Sequence, residues 1–295
     1  MVSKSIKRDL LGYKMLLPSV IMICAVSIYP LLNGIYISFT GYNFLDKTKN
    51  KFVGLDNFYR LITQDEEFRS VLLFSFEYTI AVVALSYFCG LILALILNNE
   101  LKCRNFLRAL VLIPWVIPPV VAATSWMSIM NDQTGIINVF LMSTGIIESP
   151  ILFFANRTMA KLTVIIVGTW KSFPFMFISL LASLQSIPKP LYEAAYIDGG
   201  GYFKTLFFVT MPFLKKISVV CTTLMFIWTF NSFDNIYLLT QGGPSYATFV
   251  LPILSYYTAF FRGQLGYASA ISTLMLIVLT IIFIFYYSMQ KEKDD

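Results

Sequence analysis

The sequence predicts an all-α integral membrane protein, and two observations lead to this fold class. Hydrophobic residues make up 57% of the 295 positions and charged residues only 13%, whereas soluble domains carry about 25% charged residues. The apolar residues also gather into runs long enough to cross a bilayer, because a hydrocarbon core of about 30 Å needs about 20 helical residues. The net charge of +6 is spread between these runs, which favours loops beside anionic lipid over a nucleic-acid partner.

Six runs meet the length requirement, and each is predicted to form one membrane-spanning helix. They cover residues 16–39, 71–97, 107–130, 162–184, 217–239 and 267–289. The first run is longer than the core of a signal peptide and lacks a small-residue cleavage site, so we expect it to be retained. Prolines inside several runs are tolerable in a membrane bundle, where neighbouring helices satisfy the freed carbonyls. The expected organisation is one transmembrane domain over 1–295, with a tail and first helix over 1–39 and core helices over about 71–289.

The distribution of basic residues predicts the orientation. An even number of helices places both termini on one side of the membrane. The two termini and the loops at 98–108 and 186–216 carry thirteen Lys and Arg residues, against eight in the loops at 40–70, 131–161 and 240–264. Because cytoplasmic loops are enriched in Lys and Arg, both termini and the 186–216 loop are expected in the cytoplasm.

A polar stripe runs along one face of the fourth predicted helix. Its members recur at helical spacing and are Gly168, Lys171, Ser172, Phe175, Ser179, Ala182 and Ser183. In a membrane bundle such groups turn toward the protein interior. Lys171 lies near the middle of the helix, where a charge costs about 2.5–3.5 kcal/mol on insertion scales, so it should face water or a partner.

A second polar group lies on the fifth predicted helix, from its midpoint toward its outer end. It consists of Trp228, Thr229, Asn231, Ser232, Asp234 and Asn235. Trp228 and Lys171 are expected at similar depth, where an aromatic face beside hydrogen-bonding groups suits a polyhydroxylated ligand. Two other interpretations stay open: Trp228 as packing in the bundle core, and Asp234 as an ion-pair partner of Lys171.

The sequence favours no catalytic or metal site. It contains no histidine, and its four cysteines show no paired spacing, so the commonest metal ligands and proton carriers are missing. The segment GGGYFKT differs from a phosphate-binding loop because Phe203 stands where glycine must precede the Lys-Thr pair. No cofactor and no nucleotide site are therefore expected in this chain.

A charged, glycine-rich segment, SIPKPLYEAAYIDGGG, separates the fourth and fifth predicted helices. Pro188 and Pro190 suit the first turn of a short helix, which we predict over 191–198, and the three glycines then allow a sharp re-entry. The predicted result is a compact projection with Glu193 and Asp198 available to basic partners. An ordinary capped loop is the alternative.

The same segment carries a family resemblance. EAA, two residues, DG and then twelve residues to Pro212 resemble the EAA motif of inner-membrane permeases in binding-protein-dependent ATP-binding cassette (ABC) importers. Four further segments are similar to the carbohydrate-importing branch of this family: LQSIPKPLYEAA, IPWVIPPVVAA, LLTQGGPSYAT and LGYASA. The resemblance covers nearly the whole chain. Two departures are Gly200, usually alanine, and Leu206, usually phenylalanine, and both are expected to loosen the projection slightly.

The resemblance implies a type I ABC importer permease fold with six transmembrane helices and a cytoplasmic coupling helix between helices four and five. It implies a bacterial inner membrane location and four partners: a second homologous permease, an ABC ATPase dimer that binds ATP and Mg²⁺, an extracytoplasmic sugar-binding protein, and the sugar. The residues implied to contact the ATPase are Glu193, Ala194, Ala195, Asp198 and Gly199, with Glu193 meeting basic residues and Gly199 supplying the turn.

The resemblance to maltose-type permeases also implies a sugar site between the helices on either side of this segment. Distance from Glu193 places it at Gly168, Lys171, Ser172, Phe175, Met225, Trp228 and Thr229, and the polar Asn231 and Ser232 extend the set. Lys171 leaves an anionic sugar such as a uronate open.

Two other function classes remain as alternatives to the permease. An ion-gradient-driven secondary transporter would need an intramembrane carboxylate relay, for which Glu77 and Asp234 are the candidates. A membrane enzyme would need a nucleophile–base set that the sequence does not offer.

Overall fold

The computed structural model describes residues 15–291 of the chain, and their side chains as far as residue 286. The predicted orientation of the two termini concerns residues outside this range. Within it, the regular structure is helical apart from one isolated bridge between Thr40 and Phe52. The all-α prediction is therefore confirmed.

Besides a short 3-10 helix at Lys47–Lys49, twelve longer helices follow one another in the described residues. They are α1 (Met15–Ser38), α2 (Asp56–Thr63), α3 (Glu66–Asn98), α4 (Arg104–Val116), α5 (Pro119–Ile129), α6 (Ile136–Ser143), α7 (Arg157–Gln185), α8 (Lys189–Ile197), α9 (Tyr202–Phe230), α10 (Asp234–Thr240), α11 (Leu251–Phe260) and α12 (Leu265–Lys291). Five of these, α1, α3, α7, α9 and α12, are long and apolar enough to cross a membrane. The pair α4 and α5 supplies a sixth span if the two helices are counted together.

The chain forms two compact units. One contains the described residues up to Phe68 together with Leu254–Thr280, and the other contains Arg69–Ile253 with the residues from Ile281 onward.

Polar contacts organise the first unit at the end of α1. The side-chain amide of Asn57 donates to the carbonyl oxygens of Ser38 (2.8 Å) and Thr40 (2.9 Å). The last carbonyls of a helix have no partner within the helix, so Asn57 satisfies the end of α1. The guanidinium of Arg262 also donates to both carboxylate oxygens of Glu67, each at 2.8 Å.

The core of the second unit lies between the three long helices α3, α7 and α9. Its buried side chains are Leu91, Ala94 and Leu97 of α3, Met176, Phe177, Leu180, Leu181 and Leu184 of α7, and Leu214, Cys221 and Met225 of α9. Gly90 lets α3 approach α7 closely. A Cβ atom at this position would lie 2.6 Å from the Cβ of Met176 and 2.8 Å from the amide nitrogen of Phe177.

The third span is broken, so the prediction of one continuous helix over 107–130 is wrong. α4 and α5 meet at an angle of 96°. Two consecutive prolines, Pro118 and Pro119, explain the break, since a residue that precedes proline is pushed out of the helical region. Ile117 and Pro118 accordingly have extended ψ angles of 130° and 142°.

The fifth span also differs from its predicted limits of 217–239, since α9 begins at Tyr202 and ends at Phe230. It begins earlier because the helix continues past its apolar part through Lys215 and Lys216, which a hydropathy criterion excludes. It ends earlier because Asn231 and Ser232 are polar residues that favour helix ends over helix interiors.

Two prolines are accommodated by π-helical turns. The turn Cys24–Ile28 precedes Pro30 in α1, and the turn Leu206–Thr210 precedes Pro212 in α9. A proline in a helix clashes with the carbonyl four residues before it. The wider turns relieve this clash, because the amide just before each proline bonds five residues back rather than four.

We expect Gly90→Ala to destabilise the protein by about 1–3 kcal/mol, because overpacking a close helix contact has a cost of this order. The measurement is the thermal unfolding temperature of the purified protein in detergent. Gly34→Ala in α1 is the matched control, since a Cβ atom there would meet nothing within 4 Å. An equal loss in both variants would contradict the assigned contact between α3 and α7.

Candidate functional site

A cavity of about 200 Å³ lies in the second unit, beside the helices α4, α7 and α9. Its lining combines aromatic rings with hydroxyl and amide groups. The lining residues are Tyr78, Trp115, Lys171, Ser172, Phe175, Met225, Trp228, Thr229, Ser232 and Asn235.

Seven of the nine sequence-predicted substrate residues line this cavity, and their binding of a ligand stays a prediction. Two do not. A Cβ atom on Gly168 would lie 2.6 Å from the hydroxyl oxygen of Tyr78, so Gly168 makes room for that ring. Asn231 is exposed at the end of α9, and its side-chain amide donates to the carbonyl of Ile227 at 2.8 Å.

Three aromatic rings stand side by side in the lining. The ring of Phe175 lies between those of Trp115 and Trp228, with centroid distances of 6.3 Å and 5.0 Å. Trp228 is 55% exposed, so its ring is accessible. Aromatic rings with a free face suit the apolar C–H face of a ring-shaped ligand, and the surrounding hydroxyls suit its polar edge.

The polar groups of the cavity come from several helices. The fully buried Tyr78 comes from α3, Ser172 from α7, Thr229 from α9 and Asn235 from α10. Hydroxyl and amide groups both donate and accept hydrogen bonds. They therefore match a ligand that carries several hydroxyls.

Lys171 is the charged residue of this lining, and its ammonium group is engaged with backbone. It donates to the carbonyl oxygens of Pro114 (2.9 Å), Trp115 (3.4 Å) and Ile117. These carbonyls lie where α4 ends. The open question of a pair with Asp234 is answered by this geometry, because all three ammonium hydrogens have a backbone acceptor.

Sequence reasoning did not assign Tyr78, Trp115 and Asn235 to the site. Trp115 stands among the prolines of IPWVIPP, and a break there could have been suspected from the double proline. The glycine at 168 could have indicated a large neighbour, but not that the neighbour is Tyr78. Asn235 belongs to the polar group noted after α9, so its signal was present.

The face of α7 that packs against α3 and α9 is largely apolar, and the polar stripe lies beside it, where three of its members line the cavity. Met176, Phe177 and Leu180 are at most 1% exposed. Lys171, Ser172 and Phe175 are half-buried, and Ala182 is exposed. Gly168 is the stripe member that packs against α3, at Tyr78, whereas Lys171, Ser172 and Phe175 border the cavity.

The charged segment between α7 and α9 folds as the helix α8, Lys189–Ile197. It begins two residues before the predicted start, because Pro188 takes the N-cap position and Pro190 fits the first turn. Glu193 and Asp198 are exposed. The hydroxyl of Tyr192 lies 3.3 Å from that of Thr210, which connects α8 to the π turn of α9.

The end of α8 is closed by a Schellman motif. The amide of Gly199 donates to the carbonyl of Tyr196 at 3.1 Å, and the amide of Gly200 donates to that of Ala195 at 2.8 Å. Gly199 has a φ of +74°, a left-handed conformation that costs other residues about 1–2 kcal/mol. A Cβ on Gly200 would lie 2.6 Å from the Ala195 carbonyl oxygen, so glycine at 200 lets this cap close.

We expect Gly199→Ala to loosen the end of α8 by about 1–2 kcal/mol, because alanine is strained at positive φ. Amide hydrogen exchange of the segment 195–200 should accelerate correspondingly. Gly201→Ala is the control, since Gly201 has a φ of −74° and a Cβ there would meet nothing within 4 Å. Unchanged exchange in Gly199→Ala would exclude the assigned cap.

Within residues 15–291, no group of three or more His, Cys, Asp or Glu side chains could hold a metal ion.

Comparison with known proteins identifies relatives of the whole chain. Residues 86–293 match the family model described as binding-protein-dependent transport system inner membrane component. The trehalose/maltose transport system permease protein MalF of Thermococcus litoralis is 35% identical, over 97% of this chain and 95% of its own length. The inner membrane ABC transporter permease protein YcjO of Escherichia coli is 33% identical, over 90% of this chain and 89% of its own length.

The fold is similar to that of solved structures. A crystal structure of a bacterial ABC transporter involved in the import of the acidic polysaccharide alginate matches with a TM-score of 0.86 and 24% identity. The match covers 99% of this chain and 98% of the other. At this level of identity the likeness concerns the fold.

Proposed function

This chain belongs to the family of inner membrane components of binding-protein-dependent transport systems, and we propose that it is the permease subunit of an ATP-driven sugar importer. The observation that carries the sugar assignment is the cavity, in which the rings of Trp115, Phe175 and Trp228 stand beside hydroxyl and amide groups. The trehalose/maltose permease and the alginate importer support a saccharide as the solute. The proposed contacts are the predicted lining residues Ser172, Phe175, Met225, Trp228, Thr229 and Ser232, with Tyr78, Trp115 and Asn235 added. Lys171, the seventh predicted lining residue, has its ammonium group engaged with backbone.

α8 is proposed as the coupling helix that receives the movement of an ATPase. It connects the ends of α7 and α9, and these two helices carry most of the cavity. The exposed carboxylate of Glu193 suits a basic groove on the ATPase. The small side chains of Ala194 and Ala195 let the surface of the ATPase approach α8 closely. The Schellman cap at Gly199 keeps α8 rigid.

The remaining partners follow from the same proposal. A second, homologous permease supplies the other side of the pathway. The half-exposed polar face of α7 supports this partner. An extracytoplasmic binding protein delivers the sugar. ATP and Mg²⁺ are bound by the ATPase dimer, so this chain is a transport subunit that catalyses no reaction of its own.

The proposed location is the bacterial inner membrane, with a single permease domain over 1–295. The excess of Lys and Arg in the 98–108 and 186–216 loops and near the termini supports a cytoplasmic position for α8 and for both termini. Six crossings, with α4 and α5 counted as one, agree with this arrangement.

A secondary transporter is the less supported alternative. Each of its candidate carboxylates has a local explanation in the structure. Glu77 lies 3.8 Å from the ammonium of Lys161, and Asp234 lies in the first turn of α10, where a helix favours negative charge. The alternative also leaves α8 without a purpose.

Glu193→Ala is expected to abolish sugar-stimulated ATP hydrolysis by the reconstituted complex, because the proposed charged contact with the ATPase is lost. Glu100→Ala is the control, since Glu100 is equally exposed in a loop of the same proposed side. If sugar uptake instead persists without ATP and collapses with the ion gradient, the secondary transporter is correct.

Trp228→Ala is expected to raise the sugar concentration for half-maximal uptake roughly tenfold, because the loss of one large apolar contact costs about 1–2 kcal/mol. Uptake of labelled sugar into proteoliposomes measures this. Trp126→Ala removes a tryptophan that packs against Trp170 outside the cavity lining and should leave the value unchanged. The same response in both variants would contradict a sugar site at Trp228.

A further inference from the structure

The break between α4 and α5 creates carbonyl oxygens that their own helix cannot satisfy. In a continuous helix, the carbonyls of Pro114 and Trp115 would accept from the amides of residues 118 and 119. Both of those residues are prolines and have no amide hydrogen. Pro118 is also extended, with a ψ of 142°, so the carbonyl of Ile117 at the turn needs a donor from elsewhere as well.

An unsatisfied carbonyl is costly inside a membrane, since there is no water to replace the lost hydrogen bond. The cost of leaving one unpaired is several kcal/mol in hydrocarbon. A donor from another helix therefore decides whether the broken form is stable.

Lys171 is that donor. Its ammonium group reaches the three carbonyls of residues 114, 115 and 117 from the middle of α7, more than fifty residues away in the chain. A lysine carries three donor hydrogens and no acceptor, which matches three carbonyl oxygens. Its positive charge also faces the negative end of the α4 dipole.

The break also determines where an aromatic ring of the cavity stands. Trp115 lies one residue before the end of α4, its carbonyl is one of the three that Lys171 contacts, and its ring packs 6.3 Å from that of Phe175. Because residue 119 is a proline, no amide four residues along the chain can donate to the carbonyl of Trp115, so the position of this residue depends on the contact with Lys171.

We propose that Lys171 is a positioning residue that holds the third span in its broken form and so places Trp115 on the cavity, and that the saccharide is neutral rather than anionic. The second statement rests on the proposed function. It is argued from hydrogen bonding: the backbone carbonyls occupy the ammonium hydrogens, so no charged donor is left for a uronate carboxylate, and the other lining residues are uncharged.

Spin labels on the two halves of the third span test the positioning role. Leu110→Cys and Met127→Cys place labels on α4 and α5 at positions that are 44% and 42% exposed. The exposed Cys24, Cys89 and Cys103 are replaced by serine, and the buried Cys221 is kept. Pulsed electron paramagnetic resonance then measures the distance between the labels in the reconstituted complex.

We expect Lys171→Met to shift this distance and broaden its distribution, because the prolines keep the break while the carbonyls of residues 114, 115 and 117 lose the donor that fixes its angle. Lys171→Arg, which keeps the charge and the donors, should retain the wild-type distance. Lys161→Met is the matched control: it removes a lysine from the same helix whose ammonium lies over the ring of Phe74, and the distance should not change. An unchanged distance in Lys171→Met would overturn the positioning role.

Transport kinetics test the charge of the saccharide. Sugar-stimulated ATP hydrolysis is measured with a neutral oligosaccharide and with a uronate oligosaccharide, each with the cognate binding protein. We expect stimulation by the neutral sugar only. Lys171→Met should raise its half-saturating concentration roughly tenfold through the loss of Trp115 contact, and Lys171→Arg should restore it.

Two results would contradict the proposal at different levels, the first for the charge of the saccharide and the second for sugar import itself. Stimulation by the uronate that Lys171→Met removes selectively would make Lys171 a ligand contact. If neither sugar acts on the wild-type complex, the proposed sugar import is wrong, while the label distances still decide whether Lys171 holds the break.

Discussion

A peptide carbonyl inside a membrane-spanning helix has no water to replace a lost hydrogen bond, and the structure shows two ways in which the bonds lost to prolines are replaced. At Pro30 and Pro212 the helix widens into a π turn and re-pairs within itself. At Pro118 and Pro119 the helix breaks instead, and Lys171 of another helix donates to the freed oxygens. Two prolines in succession exceed what one wider turn can absorb, so a donor from outside becomes necessary.

The packing of α7 and α9 connects the cavity to α8. Both are built on α7 and α9, whose apolar faces pack with α3 into one core around residues such as Leu180 and Leu214. At one end of these helices lies α8, closed by the Schellman turn at Gly199 and linked to α9 through Tyr192. A displacement of α8 therefore acts on two packed helices rather than on a flexible loop, which is the property that a coupling element of an importer needs.

Much of the fold could be predicted from the sequence, because run length and composition report directly on the bilayer. The limits of the spans could not. Hydropathy detects the apolar part of α9 but not its continuation through Lys215, and it does not register that Asn231 ends the helix. The double proline at 118 was visible in the sequence, yet whether a proline bends, widens or breaks a helix depends on which donors lie nearby in the folded chain.

The site was predicted in part for a related reason. Helical spacing places Lys171, Ser172 and Phe175 on one face, but it does not reveal what that face meets, and the acceptors of Lys171 lie more than fifty residues away in sequence. The spacing also predicts that this face turns toward the protein interior, and within the single chain three of its residues line the cavity while remaining half-buried. A polar face turned to lipid would carry the cost that the spacing argument assumed. The argument therefore fits the proposed assembly, in which a second permease covers the open side of the cavity, better than it fits the single chain.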